Sequence, residues 1–151
     1  MKARRAIASD TSMGVTGVVA GIVVLVLSRD VERELDWFAL ALIAFFIVAA
    51  IVNVALCVRQ LRRPEVLPEA ARLLTWRETA VRVVPWGIVP FAAVVFTAAS
   101  SPSGATWALG LGCLLLGLVT CGLAALTAQA ERRRGTHVFR VGGRYALFVT
   151  R

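Results

Sequence analysis

Four apolar stretches alternate with polar segments along the chain. They occupy residues 12–28, 37–58, 83–99 and 107–128, and none of them contains Asp, Glu, Lys, Arg or His. A helix that crosses a bilayer needs about 20 apolar residues, with a range of roughly 17–25. The second and fourth stretches reach this length comfortably, and the first and third lie at its short end. The pattern predicts an all-α integral membrane protein, a bundle of four transmembrane helices.

Composition agrees with a membrane location. Hydrophobic residues make up 58% of the 151 residues and charged residues 17%, whereas a soluble domain is about half apolar and about a quarter charged. A bilayer replaces water as the solvent for the outer apolar faces of such a chain. The basic residues are almost all arginine, which suggests a bacterial genome rich in G and C. The predicted location is the cell membrane.

The distribution of basic residues predicts that both termini lie in the cytoplasm. Arginine and lysine are enriched in the cytoplasmic segments beside membrane spans. With the N-terminus inside, four spans place fifteen basic residues in the cytoplasm and two, Arg29 and Arg33, outside. An odd number of spans would put the basic tail outside and spoil this agreement. Topology therefore explains the net charge of +8, and no nucleic-acid partner is predicted.

The chain divides into a transmembrane domain, residues 1–130, and a basic cytoplasmic tail, residues 131–151. The first stretch follows a basic start, but it lacks the small residues of a signal-peptide cleavage site, so an uncleaved span is expected. Pro64 and Pro68 end the helix that leaves the second span. A short amphipathic helix that begins near Glu69 is expected to lie on the inner leaflet, and a solvated linker is the alternative.

The tail contains a signal for a short cytoplasmic β-hairpin. Two runs rich in Val, Phe and Tyr flank a Gly-Gly pair at 142–143, and tight hairpin turns need the positive φ that glycine supplies. Pairing across that turn would set Phe139 against Ala146. A two-stranded hairpin is marginal in water, so this one is expected to lie on lipid headgroups or against a partner strand. The residues assigned to that contact are Arg140, Arg144 and Tyr145. A frayed basic tail is the alternative.

Small residues mark the faces through which the helices are expected to pack. Gly17 and Gly21 have G-x-x-x-G spacing in the first span, and Gly112 and Gly117 lie in the fourth. Glycine lets two helix backbones approach closely, which favours packing where water gives no driving force. The partner is another span of the same chain or a second copy. Asn53 is the one strongly polar side chain deep in a span, and either a helix-to-helix hydrogen bond or a ligand would satisfy its amide.

No residue pattern points to catalysis, a metal or a cofactor. The three cysteines form no C-x-x-C pair, which is the pair that four-helix quinone-linked thiol oxidoreductases use. His137 is the only histidine, so a zinc site or a His-based triad lacks its other members. Four spans in a short chain are similar in outline to the small multidrug resistance transporters. Those carry a membrane-embedded glutamate in the first span, and residues 12–28 contain no acid.

Three classes of function fit these observations. The favoured one is a non-enzymatic accessory or interaction subunit of a membrane complex, whose partners are the lipid bilayer and another membrane protein or further copies of the chain. The alternative is a small oligomeric transporter or channel. A membrane enzyme is the least favoured, because no catalytic, cofactor-binding or metal-binding residue is assigned.

Overall fold

The computed structural model describes residues 2–29, 37–62, 65–66, 72–75, 77–78, 81, 92–97, 99–100, 103–141 and 147–149. These residues are mostly helical. They form three long helices, α1 (Ala6–Leu27), α2 (Trp37–Arg62) and α3 (Gly104–Arg134). They also form five short strands, β1 (Lys2–Arg5), β2 (Glu65–Val66), β3 (Arg72–Leu73), β4 (Val138–Val141) and β5 (Leu147–Val149).

Each of the three helices is long and apolar enough to cross a membrane. They contain 22, 26 and 31 residues, and at about 1.5 Å per residue even the shortest is roughly 33 Å long. They coincide with the first, second and fourth predicted spans. In the third predicted span, residues 92–97 and 99–100 are helical, and residues 83–91 and 98 lie outside the described part of the chain.

All three helices extend beyond the apolar stretches that predicted them, and α2 continues to Arg62 rather than ending at residue 58. α1 begins at Ala6 rather than at residue 12, and α3 continues to Arg134 rather than ending at residue 128. α3 begins with a capping box, in which Ser103 Oγ accepts from Thr106 N at 3.3 Å and Thr106 Oγ1 accepts from Ser103 N at 2.8 Å. It ends at Gly135, whose φ of 65° is the left-handed conformation that glycine adopts without strain. These extensions bring acidic residues into the helices, with consequences described below.

α3 is the central helix, and it packs against both α1 and α2. Along α1, Gly14 lies against Cys121 and Gly21 lies against Gly110. Rising numbers in α1 therefore meet falling numbers in α3, so the two helices are antiparallel. At the far end of this pair, Ser28 Oγ and Thr106 Oγ1 are 3.5 Å apart.

α2 runs in the same direction as α3. Gly112 faces the ring of Phe46, and Cys57 lies beside Thr127. Rising numbers in α2 thus meet rising numbers in α3. As a result, the N-terminal end of α1 and the C-terminal ends of α2 and α3 lie at one end of the bundle.

The five strands form one sheet at that same end. Its strand order is β2-β5-β4-β1-β3, with β4 antiparallel to both β1 and β5, and with the edge strands β2 and β3 parallel to their neighbours. Ala6 and Val138 are buried together, and Leu61 of α2 packs on them. This small apolar cluster joins the sheet to the bundle.

The sheet differs from what the sequence pattern predicts. Phe139 pairs with Phe148 rather than with Ala146, a shift of two residues, and residues 142–146 lie outside the described ones. The outer edge of β4 pairs with β1, and the outer edge of β5 pairs with β2. The strands that neighbour this pair therefore come from the chain itself. The predicted helix near Glu69 is wrong at Arg72 and Leu73, which form β3. Strands β1, β2 and β3 were not predicted.

Candidate functional site at the basic end of the bundle

The end of the bundle that carries the sheet contains a buried ion pair between a helix and a strand. Arg140 of β4 donates from a terminal guanidinium nitrogen to Asp10 Oδ2 of α1 at 3.0 Å. The Asp10 side chain is only 4% exposed and that of Arg140 is 29% exposed. Because a buried carboxylate loses its hydration, its partner becomes essential: removing one member of such a pair costs roughly 3–5 kcal/mol. The pair therefore fixes the tail on the first helix.

A second acidic side chain holds the start of β4. Glu131 lies in the last turn of α3, and its Oε1 accepts from the backbone N–H of Val138 at 2.7 Å. Its Oε2 lies 3.6 Å from the guanidinium of Arg5 and 3.5 Å from Nδ1 of His137. Glu131 thus ties together the end of α3, the first residue of β4 and the last residue of β1.

Arg5 and His137 complete this second group. A guanidinium nitrogen of Arg5 lies 2.7 Å from Nδ1 of His137. Arginine carries only donors, so Nδ1 of His137 is the acceptor in this contact. Because Nδ1 already accepts from Arg5, its approach to Glu131 is an electrostatic contact rather than a hydrogen bond. Arg5 is the cation that balances the buried Glu131.

Further polar side chains are buried around the Asp10–Arg140 pair. Ser9 and Thr127 are each 1% exposed, and Thr127 donates to the carbonyl of Leu123 at 2.8 Å. Cys57 of α2 is 2% exposed, and the charges of Arg140 and Asp10 both act on its thiol. The three cysteines, all of which lie within the described helices, are free thiols. The described residues hold no group of three or more His, Cys, Asp or Glu side chains that could bind a metal ion.

No protein-family model, curated protein or solved structure matches the chain. The contacts and charges of the molecule itself are therefore the evidence for its function.

The glycines assigned to helix packing lie at helix–helix contacts. Gly17 lies against Gly117, and a Cβ at Gly117 would approach the backbone nitrogen of Val18 to 2.5 Å. A Cβ at Gly21 would come within 2.7 Å of the Gly110 carbonyl, and one at Gly112 would overlap the ring of Phe46. The α1–α3 contact is therefore so close that it excludes larger side chains. These contacts are within one chain.

The other residues assigned from the sequence have different surroundings. Asn53 is exposed in α2, so among the described residues nothing covers its amide. Arg140, assigned to lipid or a partner, is instead engaged by Asp10. Arg144 and Tyr145 lie outside the described residues.

The two buried acids, Asp10 and Glu131, are the residues that sequence reasoning missed. Each lies two or three residues beyond an apolar stretch, at 12–28 and 107–128 respectively. The available signal was that each is an isolated acid beside a basic cluster. An isolated acid in that position is well placed to pair internally once the helix extends past it.

Proposed function

We propose that this chain is a multi-pass membrane protein of four spans, with both termini in the cytoplasm, that acts as a non-enzymatic accessory or interaction subunit of a membrane complex. Its cytoplasmic side is the sheet end of the bundle, and its partner is another membrane protein. The sheet, with the buried ion pairs beneath it, forms the surface that the partner contacts.

The directions of the helices support the proposed topology. α2 ends at the sheet end, and α3 begins at the opposite end, so residues 63–103 pass from one end of the bundle to the other. The apolar stretch at 83–99 is the part of that segment suited to crossing hydrocarbon. Residues 2–5, 138–141 and 147–149 also lie at the sheet end, which is the end rich in arginine. The positive-inside rule places that end in the cytoplasm.

The observation that carries the proposed function is the way the sheet is built. Its strands come from the N-terminus, the second connection and the tail, and Asp10 and Glu131 fix it to two helices. A segment that served only as a topology signal would need basic charge and no such fixed structure. A rigid surface assembled from three parts of the chain is suited to recognition, because little ordering entropy remains to be lost on binding.

An oligomeric transporter or channel is the second candidate, and the exposure of Asn53 favours it. An amide that faces hydrocarbon is costly, so intramembrane polar residues usually pair with another polar group or line a polar path. A second copy of the chain could supply that group. In this candidate the contact between copies runs along α2 rather than through the sheet.

Photocrosslinking in the native membrane separates the two candidates. A photoreactive amino acid replaces exposed Thr75, two residues after β3 of the sheet, and a matched variant carries it at Asn53 in α2. The proposal expects one adduct at position 75 whose added mass belongs to a different membrane protein. A ladder in steps of the 16.2 kDa chain from position 53, with no adduct from position 75, would refute it and favour the oligomeric transporter.

A further inference from the structure

The helix ends at the sheet end carry arginines that no acid in the described part of the chain neutralises. Arg59 and Arg62 end α2, and three consecutive arginines end α3; all five side chains are exposed. Together they are termed the arginine rim: Arg59, Arg62, Arg132, Arg133 and Arg134. None of the five forms an ion pair with an acid among the described residues. The two buried acids at this end already have Arg140 and Arg5 as their cations.

The arginine rim lies one to two helical turns beyond lipid-facing positions, towards the sheet end. Leu56 is 44% exposed and precedes Arg59 by one helical turn, and Leu126 is 46% exposed and precedes Arg133 by two turns. In a spanning helix such leucines face the acyl chains. The guanidinium groups then lie about 5–10 Å further along the helix axis, at the depth of the headgroups. Long arginine side chains reach that region readily.

The chemistry of the rim fits a phosphodiester. A guanidinium group binds phosphate oxygens through two parallel N–H···O bonds, and a cluster of basic residues just beyond a span attracts anionic lipids by about 1 kcal/mol per residue. An acidic protein offers similar charges. However, Arg59 and Arg133 continue the lipid-facing columns of α2 and α3 that contain Leu56 and Leu126, whereas a protein partner would meet the sheet. The position of the rim therefore favours the bilayer.

We propose that the arginine rim binds the headgroups of anionic phospholipids in the inner leaflet, and that the protein retains these lipids on extraction. This inference rests on the proposed topology and not on the proposed protein partner. It also reassigns the headgroup contact from the tail, where Asp10 engages Arg140, to the ends of α2 and α3.

The test compares lipid retention by the full-length protein in mild detergent containing phosphatidylglycerol or phosphatidylcholine, measured by native mass spectrometry. Arg59→Gln/Arg62→Gln removes two rim charges, and Arg29→Gln/Arg33→Gln removes two arginines from the first loop as a matched control. A Lys pair at positions 59 and 62 retains the charge. We expect phosphatidylglycerol to bind preferentially, and its affinity to fall roughly 10- to 30-fold in the Gln rim variant. The Lys variant should remain within a few-fold of wild type, and the control should be unchanged.

Three outcomes of the lipid measurement would overturn the inference. These are equal retention of the two lipids, equal losses in the rim variant and the loop control, or displacement of the lipid by millimolar inorganic phosphate, which would indicate a general anion site. Recovery of an acidic protein on the rim in place of lipid would also overturn it. Photocrosslinking at position 75 beside the sheet is scored separately, so a failure of the lipid inference is distinguishable from a failure of the proposed partner. Reporter fusions confirm that each variant keeps its orientation.

Discussion

The buried ion pair makes an asymmetric prediction. Arg140→Gln removes the ion pair that Arg140 makes with the carboxylate of Asp10, which is 4% exposed. Removing one partner of a buried pair costs roughly 3–5 kcal/mol of stability. We expect Arg140→Gln to cost about 3 kcal/mol, at the low end of that range, because the Arg140 side chain is partly exposed to water. Asp10→Asn instead leaves a guanidinium that is 29% exposed and can be rehydrated. That change should cost about 1 kcal/mol, close to the value of one hydrogen bond.

The double variant tests the same reasoning. Asp10→Asn/Arg140→Gln contains no unpaired charge, so it should cost only about 1–2 kcal/mol, well below the sum of the single changes. The double-mutant cycle then gives a coupling of about 2 kcal/mol. Arg132→Gln is a matched control, because Arg132 is exposed and unpaired among the described residues, and it should change stability by less than about 0.5 kcal/mol.

Thermal unfolding in detergent measures these differences. At roughly 2–4 °C per kcal/mol for a chain of this size, Arg140→Gln should lower Tm by about 6–12 °C and Asp10→Asn by about 2–4 °C. The reasoning fails if Asp10→Asn is as damaging as Arg140→Gln. It also fails if the double variant equals the sum of the single changes, since either result would mean that the two side chains do not share one buried site.

Three further predictions follow from the helix contacts and the proposed topology. Gly117→Leu should separate α1 from α3 and lower stability by at least 1–3 kcal/mol. Gly122→Leu is the control, because an added Cβ at Gly122 meets nothing within 4 Å, and it should leave stability in the same thermal assay nearly unchanged. Glu131→Gln keeps an acceptor for the Val138 N–H but removes the charge that faces Arg5, so the rate of amide hydrogen exchange at Val138 should rise only modestly. Glu131→Ala removes the acceptor and should raise that rate much further. Equal protection of the Val138 amide in both variants would count against the contact. Reporter fusions after Arg63 should read cytoplasmic and those near Ser103 outside, and a cytoplasmic reading at Ser103 would reject four spans.

The long helices were predictable because the bilayer sets their length. A run of about 20 apolar residues has few other uses, so the apolar stretches located α1, α2 and α3 from the sequence. Their ends were not predictable in the same way, since a helix continues past the hydrocarbon as long as its backbone groups remain paired. Asp10 and Glu131 therefore fall inside helices although each lies outside an apolar stretch.

The sheet was largely unpredictable because its strands are short and distant in sequence. β2 and β3 contain two residues each, which is too few for an alternating pattern, and β1 pairs with residues more than 130 positions away. The register of β4 and β5 was missed because a Gly-Gly pair favours a two-residue turn, whereas the last pair described is Arg140 with Leu147. Val138 and Phe139 of β4 are buried within the chain itself.

The sheet and the number of spans constrain each other. A sheet forms only if all its strands lie on one side of the membrane, so the chain must cross an even number of times between any two of them. Between β1 and β2 lie α1 and α2, which make two crossings. Between β3 and β4 lies α3, which would make one crossing, and the proposed topology assigns the second crossing to the apolar stretch at residues 83–99. The pairing of β1 with both β3 and β4 therefore supports four spans by a route independent of arginine counts. Disruption of the third span should consequently remove β4 and β5 from the sheet and leave Asp10 without Arg140.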